Sequence, residues 1–554
     1  MRLTFCLYLI FNTLLMLYAI PSDKLILNKG DLSNIEVQFF KDIDDGELNN
    51  FSMYDGFLIA SNITDEQNFK YYQYKLLNIK TLAVKNLNQN TDSYTLGKDL
   101  LKWMHDNVLI KYSESASDAI KLLDNGDYNC LSSSILYALL AKDLNLNVDC
   151  IITKKHSFCV LHDKKGDIDI ETTARYGFDP GTKEIERLGK DLMIISVPKS
   201  EYKLRQSVTL KELIGCVYTN NIDDNTFKDY NIWIKTLVSL GKAYYYYDND
   251  TQIHDQIIAN IINLMNYCIN QNDFENAKLY FAKLNKFEPQ YDKLSECNDL
   301  LWCKIAKSYL EQKDYYKAID AVHEGLKFNK ESLLIKRIGV FCYNKWGLSF
   351  AENGDYLNAI RLFNQGNAEC SDEVITTNLK ICYYKIIRND VVTDNYANFK
   401  VHYSQLRVLN ESDSELVKFT VEVFSKMSIN FIKKNKFRES INVIKDSLVF
   451  YPGNKELLEE LAISYDDYGR HYVKSLDYVN SIKIYEEAVK LVKNKDLLHN
   501  MHAVYNNYLI LLCNKKNYVE AKIIYNKALQ FFPGDTKFIS FNKQIQNGLK
   551  RIKH

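Results

Sequence analysis

The hydrophobic pattern changes character near residue 225. Beyond it, apolar and small residues recur at helical spacing in paired segments joined by short polar turns. One copy ends in Asp273-Phe274-Glu275-Asn276-Ala277, followed by Phe281 and Pro289. The next has Trp302, Ala306 and Tyr309 before Asp314-Tyr315-Tyr316-Lys317-Ala318. Further copies run from Trp346-Gly347 to Ala359 and Phe363, from Phe424 and Ser428 to Ser440 and Pro452, from Gly469 to Ser481 and Ala488, and from Tyr505 to Ala528 and Pro533. A small residue of the first segment stands twelve before one of the second in Ala306/Ala318, Gly347/Ala359, Ser428/Ser440 and Gly469/Ser481. A constant step of this kind marks the point where two helices cross closely.

Before residue 225 the periods are mixed. Asn68 to Leu87 and Thr95 to Asn107 read as helices. Asn129 to Asp143 reads as a helix with Cys130 in its first turn and Ile135, Leu136, Leu139 and Leu140 on one buried side. Val148 to Thr153, Ser157 to Leu161 and Ile168 to Thr172 have the alternation of short strands, with a hairpin turn at Lys164-Lys165-Gly166-Asp167. The pattern predicts an α+β domain over 36–225 and an all-α array over 226–554, mainly α overall. Ahead of both, Met1-Arg2 leads into an apolar run from Leu3 to Ile20, with Ala19 near a cleavage point. Residues 1–20 are therefore expected to be a signal peptide or N-terminal anchor, and the protein exported, periplasmic or anchored through residues 3–20 at the cell envelope.

The paired segments match the tetratricopeptide pattern in six places, with a period of about 34 residues and a degenerate seventh copy over Thr377 to Asn410. Such repeats stack into a solenoid whose concave face binds a protein or peptide partner. The Tyr and Trp stripes read as packing between helices. The 554 residues carry 70 Lys+Arg against 70 Asp+Glu, so no basic surplus points to nucleic acid. The 12 cysteines are scattered, without C-x-x-C pairs or zinc spacing. No phosphate loop or dinucleotide fingerprint is present, and neither a metal nor a cofactor is expected.

The chemistry concentrates between Asn129 and Gly181. Cys130 opens a helix, His156 follows 26 residues on, and Glu171 follows 15 after that. This is the order of a nucleophile, a base and an orienting acid. A thiol attacks as thiolate, which a helix N-terminus and an imidazolium both favour. Cys130 is thus the candidate nucleophile, His156 the general base and later acid, and Glu171 the group that holds the imidazole. Asp169, two residues away on the same strand face, competes for that last role. The other reading of Cys130 is a buried helix cysteine like the rest. The Cys130 N–H is a candidate oxyanion donor. Asn129 is expected to cap the helix, and Ser132, Ser133 and Ser134 need no role beyond helix entry.

Tyr128-Asn129-Cys130-Leu131-Ser132-Ser133, Leu136-Tyr137-Ala138-Leu139-Leu140-Ala141, His156-Ser157-Phe158, Ile170-Glu171-Thr172-Thr173 and Gly177-Phe178-Asp179-Pro180 together resemble the transglutaminase-like superfamily, in the bacterial branch that precedes tetratricopeptide repeats. Trp103-Met104-His105 and Leu122-Leu123-Asp124-Asn125-Gly126 are similar to that branch as well. The resemblance covers roughly 36–225. It implies a papain-like Cys-His-acid arrangement. Most members carry Asp in a D-P-T context where this chain has Glu171-Thr172. Three functions follow: a cysteine-dependent acyl-transfer enzyme (protease, amidase or transglutaminase-like), an inactive domain in a protein-binding scaffold, and an envelope assembly factor using both parts.

Overall fold

The computed structural model describes residues 26–44, 48–180, 204–220, 222, 229–248, 250–409 and 414–552. The apolar run over 3–20 lies outside them. Among the described residues no helix is long and apolar enough to cross a membrane.

Four helices come first: α1 (Asn34–Asp44), α2 (Met53–Ala60), α3 (Glu66–Asn86) and α4 (Ser93–Asn107). Two-residue strands β1 (Lys111–Tyr112) and β2 (Asp127–Tyr128) pair in parallel around α5 (Ala119–Asn125). α6 (Cys130–Asp143) follows at once. Then β3 (Val148–Ile152), β4 (Ser157–Asp163), β5 (Gly166–Ile170) and β6 (Gln206–Val208) form an antiparallel sheet in the order β5-β4-β3-β6. α7 (Leu210–Asn220) closes the set. Caps set several helix starts: Ser52, Asp65, Asp92 and Asp118 each accept a first-turn N–H through the side chain.

The sequence predicted α6 with one buried side. Instead every residue from Leu131 to Ala141 is buried. The helix is the axis of this region. Cys159 of β4 points its Sγ at the Ser134 carbonyl, 3.5 Å away, and Tyr137 donates its hydroxyl to the Gly97 carbonyl of α4 at 3.0 Å. A helix wrapped on all sides carries few polar residues outside its ends, and those of α6 are its first-turn serines.

The chain divides into two compact units. The first runs to Ser308 and takes in His323–Ser332; the second holds Tyr309–Val322 and everything from Leu333 on. In the first unit, α8 (Tyr230–Tyr246) packs directly on the N-terminal helices. Phe40 stacks on Tyr245 with ring centroids 4.4 Å apart, and Tyr246 donates to the Gly56 carbonyl at 3.0 Å. Lys242 meets Glu36 at 2.6 Å, with both side chains nearly sealed from water (12% and 2% exposed).

Beyond α8 the chain is a run of helix pairs: α9 and α10 (Thr251–Asn270, Phe274–Phe287), α11 and α12 (Leu294–Glu311, Tyr315–Phe328), α13 and α14 (Leu333–Glu352, Tyr356–Cys370), α15 and α16 (Glu373–Val392, Tyr396–Val408). It continues with α17 and α18 (Ser414–Lys433, Phe437–Phe450), α19 and α20 (Lys455–Lys474, Tyr478–Leu491), α21 and α22 (Lys495–Asn514, Tyr518–Phe531) and a last helix, α23 (Thr536–Ile552). The protein is mainly helical, with tetratricopeptide-like repeats and small sheets, among the described residues, only in the N-terminal region. The degenerate copy coincides with α15 and α16.

The period is corrected by the structure. First helices begin at residues 251, 294, 333, 373, 414, 455 and 495, about 40 residues apart rather than about 34. Nearly all of the excess lies in the first helix of each pair, which runs to 20 residues in α9, α13, α15, α17, α19 and α21. The twelve-residue step spans only the crossing, so it is blind to that extra length.

The crossings are as close as the small residues imply. Ser428, Ser440 and Ser464 bring three buried hydroxyls within 2.7–3.1 Å of one another. Ser481 donates to the Gly469 carbonyl at 3.0 Å, and a Cβ on Gly469 would stand 2.4 Å from the Tyr485 ring. Gly469→Val is therefore expected to cost about 1–3 kcal/mol, from overpacking of a buried ring, and to lower the urea midpoint of the second unit.

Candidate active site

The start of α6 is built around one residue, Asn129. Its side-chain oxygen accepts from Leu131 N at 2.9 Å and Ser132 N at 3.1 Å, while its own N–H donates to Ser132 Oγ at 3.1 Å. Its amide donates to the Glu114 carbonyl at 3.0 Å, which fixes the cap against the preceding loop. A helix start leaves four N–H groups without intrahelical partners. Three of them are satisfied here, and the fourth, that of Cys130, has no partner among the described residues. It sits beside the thiol.

His156 and Glu171 close over this helix end from the sheet. His156 immediately precedes β4, and Glu171 immediately follows β5. The His156 Nε2 and Glu171 Oε2 are 2.6 Å apart, with the side chains 12% and 5% exposed. That contact occupies Nε2, and the Cys130 thiol is close enough for its charge to act on the same ring. Glu171 is held in turn: Thr173 donates its hydroxyl to Oε1 at 2.6 Å and its N–H at 3.3 Å. Glu171 N donates to the Gly177 carbonyl at 2.8 Å, and a Cβ on Gly177 would lie 2.2 Å from the Glu171 carbonyl oxygen. Asp169 instead pairs with Arg205 at 3.2 Å.

The electrostatics follow. Burial disfavours the imidazolium of His156, but its hydrogen bonds and attraction to Cys130 and Glu171 outweigh it and raise the pKa to about 10. Burial also disfavours the Cys130 thiolate. The hydrogen bond and charge of His156 overcome it, with the Ser157 N–H adding a further hydrogen bond, and the thiol is held below its ordinary value. The surroundings of the other cysteines act the opposite way: burial pushes Cys303, Cys370 and Cys382 up to about 11 and Cys216 up to about 12. Among the described residues no group of three or more His, Cys, Asp or Glu is placed to hold a metal ion.

No protein-family model matches this chain, and no curated protein does. Among solved structures it is similar to the tetratricopeptide domain of P58(IPK), at 13% identity over 62% of this chain and 94% of that one, with a TM-score of 0.17. It is also similar to the TPR2AB domain of yeast Sti1 in its complex with pHSP90 (13% identity, 55% and 100% covered, TM-score 0.18). A third is the apo form of RapI (12% identity, 54% and 86% covered, TM-score 0.19). Likenesses at these scores carry no argument. The repeat character rests on the helix pairs themselves.

Several residues that hold the constellation together were passed over in the sequence. Thr172 is fully buried, and its hydroxyl lies 2.8 Å from Ser133 Oγ and 2.9 Å from Ser134 Oγ. The serines assigned only to helix entry thus tie the segment that bears Glu171 to the helix that bears Cys130. His105 Nε2 donates to the Thr172 carbonyl at 3.0 Å, and Tyr128 donates to the Thr173 carbonyl at 3.2 Å. Tyr112 packs edge-on against Tyr128, and the charges of Cys130 and Glu171 act on it after burial to raise its pKa. Hydroxyls three and four residues into a helix look like ordinary helix-start chemistry, so no local signal distinguishes them. Thr172→Val leaves those two buried hydroxyls short of a partner. It is expected to cost about 1–3 kcal/mol in urea unfolding and to slow alkylation of Cys130.

Proposed function

We propose that residues 36–225 are a transglutaminase-like, cysteine-dependent acyl-transfer domain, exported behind residues 1–20 and joined to repeats that bind a protein or peptide on their concave face. The observation that carries this reading is the 2.6 Å contact from His156 to Glu171, with the Cys130 thiol near enough to act electrostatically on the same imidazole. The thiolate attacks an acyl carbon, forming a C–S bond as the carbonyl π pair moves to oxygen. The Cys130 N–H, left free by the Asn129 cap, donates to that oxygen. As the tetrahedral centre collapses, the bond to the leaving nitrogen breaks and the imidazolium gives that nitrogen its proton. Water or an amine then attacks the thioester, His156 takes the proton, and the thiolate leaves.

A general test needs no knowledge of the natural substrate. With p-nitrophenyl acetate, the full chain is expected to release a burst of nitrophenol, about one per chain, as Cys130 is acetylated. Cys130→Ala abolishes the burst. An unchanged burst in that variant sinks the enzymatic reading and leaves the domain a scaffold for the repeats.

A further inference from the structure

A pair of thiols lies under the same helix and takes no part in the site described. Cys150 of β3 and Cys159 of β4 stand directly opposite each other in antiparallel register. The ladder type at this rung can be read from its ends. Thr153 N donates to the His156 carbonyl at 2.8 Å, and His162 N donates to the Asn147 carbonyl at 2.9 Å. Hydrogen-bonded and non-hydrogen-bonded pairs alternate along an antiparallel ladder, so 150/159 is a non-hydrogen-bonded pair. Its Cα atoms are then about 4.5 Å apart, with side chains at their closest, inside the roughly 4.4–6.8 Å that a disulfide spans.

Both thiols are free, on one face of the sheet, and 2% and 0% exposed. Burial, and then the Cys150 thiol against it, push the Cys159 thiol well above its ordinary value. On the helix side Cys159 donates to the Ser134 carbonyl at 3.5 Å.

We propose that Cys150 and Cys159 are a cross-strand disulfide site, closed by a small-molecule disulfide such as oxidised glutathione. One thiolate attacks the donor's S–S bond, releasing one glutathione thiol and leaving a mixed disulfide. The second thiolate displaces the other glutathione, so the protein loses two protons and two electrons to the donor. Solvent does not reach either sulfur in the folded chain, so closure happens while the β3–β4 hairpin is still open. The oxidation state of the pair is then set where the chain folds and is kept afterwards.

The test is to refold the full chain from urea in glutathione buffers graded from reducing to oxidising. Thiols are then trapped by alkylation under denaturing conditions, and the digest is read by mass spectrometry. The expected result is a Cys150–Cys159 linked peptide, two hydrogens lighter than its parts, closing at a glutathione ratio where Cys268, Cys382 and Cys513 are still alkylated. In Cys150→Ser the linked peptide is lost and Cys159 is recovered as an alkylated thiol. Recovery of both thiols alkylated from the folded wild type across the whole range overturns the proposal, as does linkage of either sulfur to a different cysteine. Neither result bears on Cys130, whose acetylation is read separately.

Discussion

Replacing His156 with alanine is expected to slow alkylation of Cys130 at pH 6.5, by at most about a hundredfold. An ordinary thiol of pKa about 8.5 is only about 1% ionised at that pH. In the native site the imidazolium, with a pKa raised to about 10, holds the thiol below its ordinary value. The sign is fixed by this pairing. A His pKa raised in the folded state keeps the ring charged, and the thiolate supported, from acid pH up to about 10. The reactivity of Cys130 therefore falls only on the acid side, as the thiolate itself is protonated. Residue-by-residue alkylation read by mass spectrometry measures this directly, and the other cysteines serve as internal references because burial moves their thiols the other way. Equal labelling of Cys130 in wild type and His156→Ala at pH 6.5 would count decisively against a thiolate–imidazolium pair. Glu171→Gln should give a smaller loss, since the amide still reaches Nε2 but contributes no charge.

The second large effect concerns stability. Lys242→Met leaves the Glu36 carboxylate, 2% exposed, without its cation and, among the described residues, with only Ser33 N at 2.7 Å and the Tyr218 hydroxyl at 3.5 Å. Removing one partner of a buried pair leaves an uncompensated charge and costs about 3–5 kcal/mol. The expected observation is a matching drop in unfolding free energy of the first unit in urea. Glu36→Leu combined with Lys242→Met should recover most of the loss, because replacing both charges by apolar groups removes the desolvation penalty as well as the attraction. A double variant as weak as the single one would mean that the pair contributes through packing of its stems rather than through charge.

What could be read in the sequence differs between the two parts for physical reasons. In the repeats, the small residues at each crossing are visible because the steric demand falls on fixed positions, and Ser428/Ser440 and Gly469/Ser481 do meet in space. The length of the first helices was not legible, because added turns of regular amphipathic helix bring no new punctuation. In the N-terminal region the strands were legible from their alternation and α6 from its extent, though not its burial on all sides. β6, only Gln206–Val208, was not, being too short to show alternation. The positions of Cys130, His156 and Glu171 follow from helix start and strand ends. The tie between Thr172, Ser133 and Ser134 depends on tertiary approach of segments 38 and 39 residues apart, and nothing local encodes it.

The anchoring of α8 on the N-terminal helices also sets an order of events during synthesis. Tyr246 reaches back 190 residues to Gly56, and Lys283 donates to the Ile26 carbonyl across 257. Phe51 reaches Phe39 early, but the tyrosine cover that α8 lays over Phe39 and Phe40 is not made until the ribosome has passed residue 246. At roughly 5–20 residues per second, that is a wait of about 10–40 s. Helix pairs of the second unit close on neighbours only a few tens of residues away, and contacts so local form quickly. The later-made half of the chain is thus the quicker to finish. During the wait a nascent-chain chaperone has its best opportunity to engage the chain, at the α1 rings that α8 later covers.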